Sequence, residues 1–186
     1  ATWSRTVGAL GLTAWRRLRS LHVAVVGCGR SGSLLAVALR RLGVGRLTLI
    51  EPDALEPHNR GEMDGVHPAD VGRSKAEALA DGLRDGPGGV AVRPVCGSIV
   101  SLPSLVEAKA ADVLACCVDG AAGRLATAVL AALYLKPLLD VGTGVLAETG
   151  GRRMGADVRL VLPGGCLLCA GGVTRLEEGR RELLDG

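Results

Sequence analysis

Val23-Ala-Val-Val-Gly-Cys-Gly-Arg-Ser-Gly32 runs four apolar residues straight into Gly27-x-Gly29-x-x-Gly32, and an amphipathic run from Ser31 to Leu42 follows without a break. A strand, a tight glycine turn and a helix are predicted in that order. In such a turn Gly27 lets the chain bend, Gly29 lets a phosphate approach the backbone, and Gly32 lets the helix pack on the strand. The free N–H groups at the helix start and the positive end of its dipole face the same point, which favours an anion. A second strand, Leu47–Ile50, ends in Glu51, 19 residues beyond Gly32, where an acid suits a ribose hydroxyl. The glycine pattern alone also fits a turn that binds nothing. With strand, helix and acid around it, Gly27, Gly29, Gly32 and Glu51 form a candidate nucleotide site.

Composition narrows the classes. At 186 residues the chain is long enough for one domain with a real core, and its 48% apolar content argues against disorder. A net charge of +3 is too small to point to nucleic acid. Of the 22 Lys and Arg residues only Lys75, Lys109 and Lys136 are lysines; phenylalanine is absent and Tyr134 is the sole tyrosine. Base-stacking platforms are therefore scarce, and an adenine would rest on aliphatic side chains. Six cysteines without a signal-peptide pattern suggest a reducing compartment, the cytoplasm. No apolar run is long enough for a membrane span, so no membrane partner is expected.

Residues 1–20 read as an arm, loose before residue 12, with Leu12, Trp15 and Leu18 on one helical face. Residues 21–186 read as one domain. Residues 52–70 form a long loop punctuated by Pro52, Pro57 and Pro68, and it leaves the carboxyl end of a strand, where open α/β sheets bind ligands. It carries Asp53, His58, Asn59, Arg60 and Glu62. A helix is predicted over Val71–Leu83 with Lys75 in its first turn, where a cation opposes the dipole unless an anion meets it. A turn at Asp85–Gly89, a strand at Val90–Val95 and a short helix at Leu102–Ala110 follow. Asp112–Val118 is a buried strand closed by Asp119; Ala121–Leu135 is a helix with Arg124 at its start; Pro137–Val141 is another strand. The alternation means a Rossmann-like, mostly parallel sheet with helices on both faces. The last third changes character: Val145–Ala147 and Ala156–Leu162, joined by Gly150-Gly-Arg-Arg153, form an antiparallel hairpin, then come Cys166-Leu-Leu-Cys169 and a charged helix, Thr174–Leu184.

Glu51, Asp53, Asn59, Lys75 and Asp119 all lie at strand ends or in the loop between. They supply a ribose acceptor, a polar loop, a lysine for a phosphate and a carboxylate for Mg²⁺, which is usually held by one or two carboxylates plus substrate phosphates. That set suits a nucleoside triphosphate without a P-loop.

The chain resembles the ThiF/MoeB/HesA family, bacterial relatives of ubiquitin-activating enzymes, over residues 3–170. The matching pieces are Trp3-Ser-Arg5, Val25-Val-Gly27-x-Gly29-x-x-Gly32, Gly43-Val-Gly45-x-Leu47-Thr-Leu-Ile-Glu51-x-Asp53, Asn59, Val71-Gly72-x-x-Lys75, Val118-Asp119 followed by Arg124, and Cys166-x-x-Cys169. The resemblance implies MgATP and adenylation of a protein or peptide C-terminus, that of a ubiquitin-like or sulfur-carrier protein. It implies that Glu51 binds ribose, Asn59 and Lys75 meet phosphates, and Asp119 holds Mg²⁺. It also implies a homodimer in which Arg5 reaches the neighbour's ATP.

The chain departs from that pattern in places. Glu62 stands where the family commonly has an arginine, with Arg60 near but out of register. Arg30 stands in the glycine loop, where it would crowd or clamp the phosphates. Family zinc sites use two C-x-x-C pairs, and Cys166 and Cys169 supply only one, so they are either half of a Zn²⁺ site or an exposed pair. Cys28, Cys96, Cys116 and Cys117 read as core or filler rather than thioester nucleophiles. The chain is also shorter than a full family member, and the closing strands are expected to be missing. Two other readings stay open: a non-catalytic nucleotide-binding scaffold, with Glu62 its mark, and an NAD(P)-dependent dehydrogenase.

Overall fold

The computed structural model describes residues 3–85, 89–148 and 151–185. In chain order they form α1 (Ser4–Leu10), α2 (Leu12–Ser20), β1 (His22–Val26), α3 (Arg30–Leu42), β2 (Arg46–Ile50), two 3-10 turns (Pro57–Gly61 and Pro68–Asp70), α4 (Lys75–Arg84), β3 (Ala91–Val95), α5 (Leu102–Lys109), β4 (Val113–Cys116), α6 (Ala121–Leu133), β5 (Leu138–Glu148), β6 (Gly151–Val161) and α7 (Leu176–Asp185).

The strands make one sheet in the order β3-β2-β1-β4-β5-β6. β1 pairs in parallel with β2 and β4, β2 with β3, and β4 with β5; β6 runs antiparallel along β5. This is the expected doubly wound sheet with an antiparallel extension. β1 lies at the centre and is buried along its whole length. Its apolar residues face both ways, as strands covered on both faces must. One core gathers Val23, Val25, Leu47 and Leu49 with Ala36, Leu79 and Leu83 of α3 and α4. The other gathers Ala24, Val26, Ile50 and Leu114 with Ala108 of α5 and Ala128 and Ala131 of α6. The strand order reverses between β1 and β4, so the ends of those two strands open a crevice.

Four expectations change. The arm is helical from Ser4, despite Gly8, and breaks only at Gly11, whose φ is +80°. Packing overrides propensity here: the Trp3 and Trp15 rings lie 5.7 Å apart, and an added Cβ at Gly43 would stand 3.2 Å from both indole nitrogens. The arm thus rests on the turn entering β2, at the amino ends of the strands. The long loop is also not structureless. Its Asp53–Leu55 stretch pairs with Gly72–Lys75 through Leu55 N–H to Arg73 O (2.7 Å), Gly72 N–H to Leu55 O (2.8 Å) and Lys75 N–H to Asp53 O (3.0 Å). Those bonds hold residues 71–74 in a turn, with Gly72 at φ +92°, and delay α4 to Lys75.

The third change concerns the hairpin. The strand predicted at Pro137–Val141 and the one predicted at Val145–Ala147 are a single strand, β5. Gly142 and Gly144 do not break it because β6 supplies a ladder partner at every residue from Leu138 to Glu148. Arg152 and Arg153 belong to β6 rather than to the turn; residues 149–150 and most of the turn predicted at Asp85–Gly89 lie outside the described residues. Finally, β4 ends at Cys116, which leaves Cys117–Gly120 as a loop at the crevice. Among the described residues no helix is long and apolar enough to cross a membrane.

Candidate active site

At the carboxyl ends of β1, β2 and β4 lies a cleft of about 580 Å³, lined by Gly27, Gly29, Arg30, Glu51, Asp53, Asn59, Lys75 and Asp119 among others. The sequence placed these residues far apart in the chain, and the fold brings them together. Gly27 has φ +86°, and an added Cβ would stand 2.9 Å from the Cys117 carbonyl. Gly32 does not line the cleft: it is buried, and an added Cβ would fall 1.8 Å from Gly27 O, so its role is helix-on-strand packing. Gly29 differs from both. Its φ of −69° suits any residue, and no protein atom lies within 4 Å of where its Cβ would be. The space its missing side chain leaves belongs to the cleft.

Glu51 is buried at 6% exposure, and both its oxygens are engaged: Oε2 accepts the Cys28 N–H at 2.7 Å and Oε1 the Asp53 N–H at 3.1 Å. The carboxylate therefore clamps the glycine loop to the loop after β2. Each oxygen keeps a lone pair for a further donor. The pairing of residues 53–55 with 72–75 sets Lys75 beside Asp53, with Nζ to Oδ2 at 3.2 Å and the lysine side chain largely buried. Asn59 closes the first 3-10 turn by accepting the Glu56 N–H on Oδ1 at 3.0 Å. Its amide NH₂ remains a donor available to a ligand in the cleft.

Arg30 opens α3. Its Nη2 lies 2.5 Å from Glu62 Oε1, so the two departures from the family pattern are partners in one ion pair. Arg60 is not brought in: it is exposed on the same turn, outside the lining. Arg5 is exposed on α1, at the opposite end of the strands, and touches no part of this cleft.

A second chamber of about 630 Å³ adjoins the first, sharing Ser31, Cys117, Val118, Asp119 and Thr143 with it. Its walls come from β5, β6 and residues 172–175, with Gly142, Gly144, Gly155 and Gly172 among them. Arg124 is fixed at its floor, donating to Asp140 Oδ2 at 2.7 Å and to Val118 O at 2.8 Å. Burial holds the Asp140 carboxyl above the usual carboxylate range despite that arginine. Asp119 stands where the chambers meet, and its carboxylate makes no hydrogen bond or ion pair among the described residues.

Glu182 of α7 also reaches the first chamber, accepting the Ala122 N–H of α6 at 2.8 Å. Sequence reading missed this residue, as it missed Thr143 and the glycine walls. A glutamate in a charged helix and glycines in a hairpin carry no local mark of a cavity.

Among the described residues no three His, Cys, Asp or Glu side chains gather as a metal site. A cation at Asp119 would take its remaining ligands from phosphate oxygens and water, which suits Mg²⁺. Cys166 and Cys169 line neither chamber and have no third ligand among the described residues, so the residues present do not form a closed Zn²⁺ site. The backbone N–H of Cys169 holds the Cys166 thiol below its ordinary range. Burial pushes Cys117, the cysteine shared by the two chambers, up to about 12, so it stays a thiol at neutral pH.

The model of the ThiF family matches residues 3–180. The bovine (Bos taurus) protein "Adenylyltransferase and sulfurtransferase MOCS3" is 32% identical over 131 residues, covering 70% of this chain and 29% of that protein. The structure of E. coli MccB with AMPCPP and MccA superposes with a TM-score of 0.76 at 21% identity, over 100% of this chain and 55% of that one. The structure of E. coli TcdA, a tRNA N6-threonylcarbamoyladenosine dehydratase, in complex with ATP gives 0.69 at 23% identity, over 80% and 67%. The chain thus spans about three tenths of the bovine protein and about half of MccB.

Proposed function

The chain belongs to the ThiF family, and from that premise we propose that it is an ATP-dependent adenylyltransferase. It joins AMP to the C-terminal carboxylate of a ubiquitin-like protein, a sulfur-carrier protein or a peptide. The observation that carries this reading is the meeting of two chambers at Asp119: one around the glycine loop and Lys75, the other between β5, β6 and the segment after them, with four glycines in its lining.

In this reading the nucleotide takes the first chamber. Gly29 leaves room for the phosphates, Glu51 accepts from the ribose, and Asn59 and Lys75 donate to phosphate oxygens. The acceptor enters the second chamber as extended main chain, because Gly144 and Gly155, with open space where a Cβ would stand, leave room for backbone to approach. Its carboxylate oxygen attacks the α-phosphorus, the bond from that phosphorus to the bridging oxygen breaks, and pyrophosphate leaves with the electron pair. A carboxylate is already ionised at neutral pH, so no general base is required. Lys75 offsets the charge that grows on the departing phosphates, and the rest of the rate comes from alignment. Mg²⁺, when bound at Asp119 with phosphate oxygens, would add further charge neutralisation.

A homodimer belongs to the same proposal. Arg5 lies too far from its own cleft to serve it and would serve that of a second copy. The surface that supports dimerisation is the edge strand β6, where Met154, Val158 and Leu160 are each more than 60% exposed. Leu160 stands opposite Leu139, which packs against the core beneath α3. The row thus extends an apolar face that the other strands have covered.

ATP–pyrophosphate exchange tests the proposal, run against proteins and peptides ending in Gly-Gly. Exchange that depends on both the acceptor's free carboxylate and Mg²⁺ is expected. Exchange that persists with an amidated acceptor would contradict it.

A further inference from the structure

A guanidinium in the first turn of a helix is badly placed on its own terms. Arg30 is the first residue of α3, which has no acidic residue in its first turn and no side-chain cap. Its charge therefore faces the positive end of the helix dipole. What offsets this is Glu62, brought across from the loop after β2. That carboxylate is not there by chance of a flexible loop. The Glu62 and Met63 N–H groups both bond Asn59 O, at 2.9 and 3.0 Å, Met63 is buried, and the Asp64 N–H bonds Ser33 Oγ of the same helix at 3.1 Å. Backbone contacts on both sides of Glu62 thus fix its position, and it holds the arginine. Both side chains line the first chamber, at 63% and 42% exposure.

Resting on the reading of that chamber as a triphosphate site, we infer that Arg30 binds the phosphate chain and that Glu62 is its holding partner, displaced when nucleotide enters. Magnitudes support the exchange. An exposed ion pair contributes at most about fivefold to an equilibrium. A guanidinium–phosphate contact with charge-assisted, bidentate hydrogen bonds contributes roughly ten- to a hundredfold. The triphosphate also carries several negative charges against one on Glu62. In the free protein Glu62 keeps Arg30 pointed across the cleft rather than out into solvent, which lowers the ordering cost of the bound state. It also competes with the phosphates, and the competition is the larger effect.

The Glu62 carboxylate is therefore not a sign of a dead site. The chain moves its arginine from one wall of the cleft to the other and leaves an acid facing it. Lys75 and Asp53 repeat the arrangement on the β2 side, a cation kept by an exposed carboxylate until an anion replaces it.

Calorimetric titration of MgATP and of adenosine into wild type, Arg30→Ala, Glu62→Gln and the double variant tests this. Both residues are exposed enough that each variant should fold, and thermal melting checks it. Arg30→Ala is expected to weaken MgATP roughly ten- to a hundredfold and to leave adenosine binding unchanged. Glu62→Gln is expected to tighten MgATP by up to about fivefold, and that gain should vanish when Arg30 is already alanine. Wild-type binding of MgATP with no loss in Arg30→Ala would overturn the inference alone. Equal effects on MgATP and adenosine would do the same, because the pair would then be only structural. Failure of the wild type to bind MgATP would overturn the adenylation reading and this inference with it.

Discussion

The two chambers that meet at Asp119 are built by different means. The first is assembled from the loops at the ends of parallel strands, and its cations are each held by a carboxylate: Lys75 by Asp53 and Arg30 by Glu62. The second is carved from the middle of a long hairpin and the segment after it, with glycines in its walls, Asp157 and Arg175 among its lining and Arg124 held by Asp140 at its floor. In the proposed reading the first exchanges partners with an anion and the second lets a main chain through. Where two such spaces share a wall, chemistry between an anionic nucleotide and the end of a chain becomes possible without a dedicated base.

The largest expected effect tests the first chamber. Lys75→Ala should lower pyrophosphate exchange by about 10²–10³ while weakening MgATP binding less, because the charge it offsets grows as pyrophosphate departs. Asp119→Ala should instead shift the Mg²⁺ dependence of the same exchange. A change within about twofold for both would mean that Lys75 is only a helix residue and Asp119 only a loop residue.

A smaller effect tests the second chamber. An added Cβ at Gly144 meets no protein atom within 4 Å, so Gly144→Val should fold. The side chain would stand in the chamber and lower kcat/KM for the acceptor by roughly tenfold or more, with MgATP affinity unchanged. Equal losses toward ATP and acceptor would break the division of labour between the chambers.

The smallest effect concerns a residue that touches neither chamber of its own chain. Arg5→Ala should lower exchange by roughly tenfold in a protein that sediments as a dimer at micromolar concentration. A monomer with full activity would remove Arg5 from the account.

The same contrast explains what could be read in advance. The glycine loop, Glu51, Asn59 and Asp119 were legible because each sits at a strand end or in a loop attached to one, and Lys75 because a cation in the first turn of a helix opposes its dipole. The parallel order of the sheet followed from the alternation of apolar runs and amphipathic helices. The second chamber was not legible. Gly142 and Gly144 fell between the strands predicted at Pro137–Val141 and Val145–Ala147, and Gly155 just before the one at Ala156–Leu162; only the register of β5 against β6 turns them into a wall. Glu182 was equally hidden, since its place depends on α7 packing across the start of α6. Arg30 and Glu62 looked like two separate losses in the sequence. They became one feature only when the loop after β2 was seen pinned to Ser33.

Competition between nucleotides reaches the central claim most directly. Titration of the purified chain with MgATP, with ATP in excess chelator and with NAD⁺ asks whether the first chamber is a triphosphate site at all. Saturable binding of MgATP, weaker without Mg²⁺ and weaker still for NAD⁺, is the predicted result. Tighter binding of NAD⁺ than of MgATP would contradict the account, because Lys75, Asn59 and Asp119 would then have been assigned to phosphates and a cation that the protein does not seek.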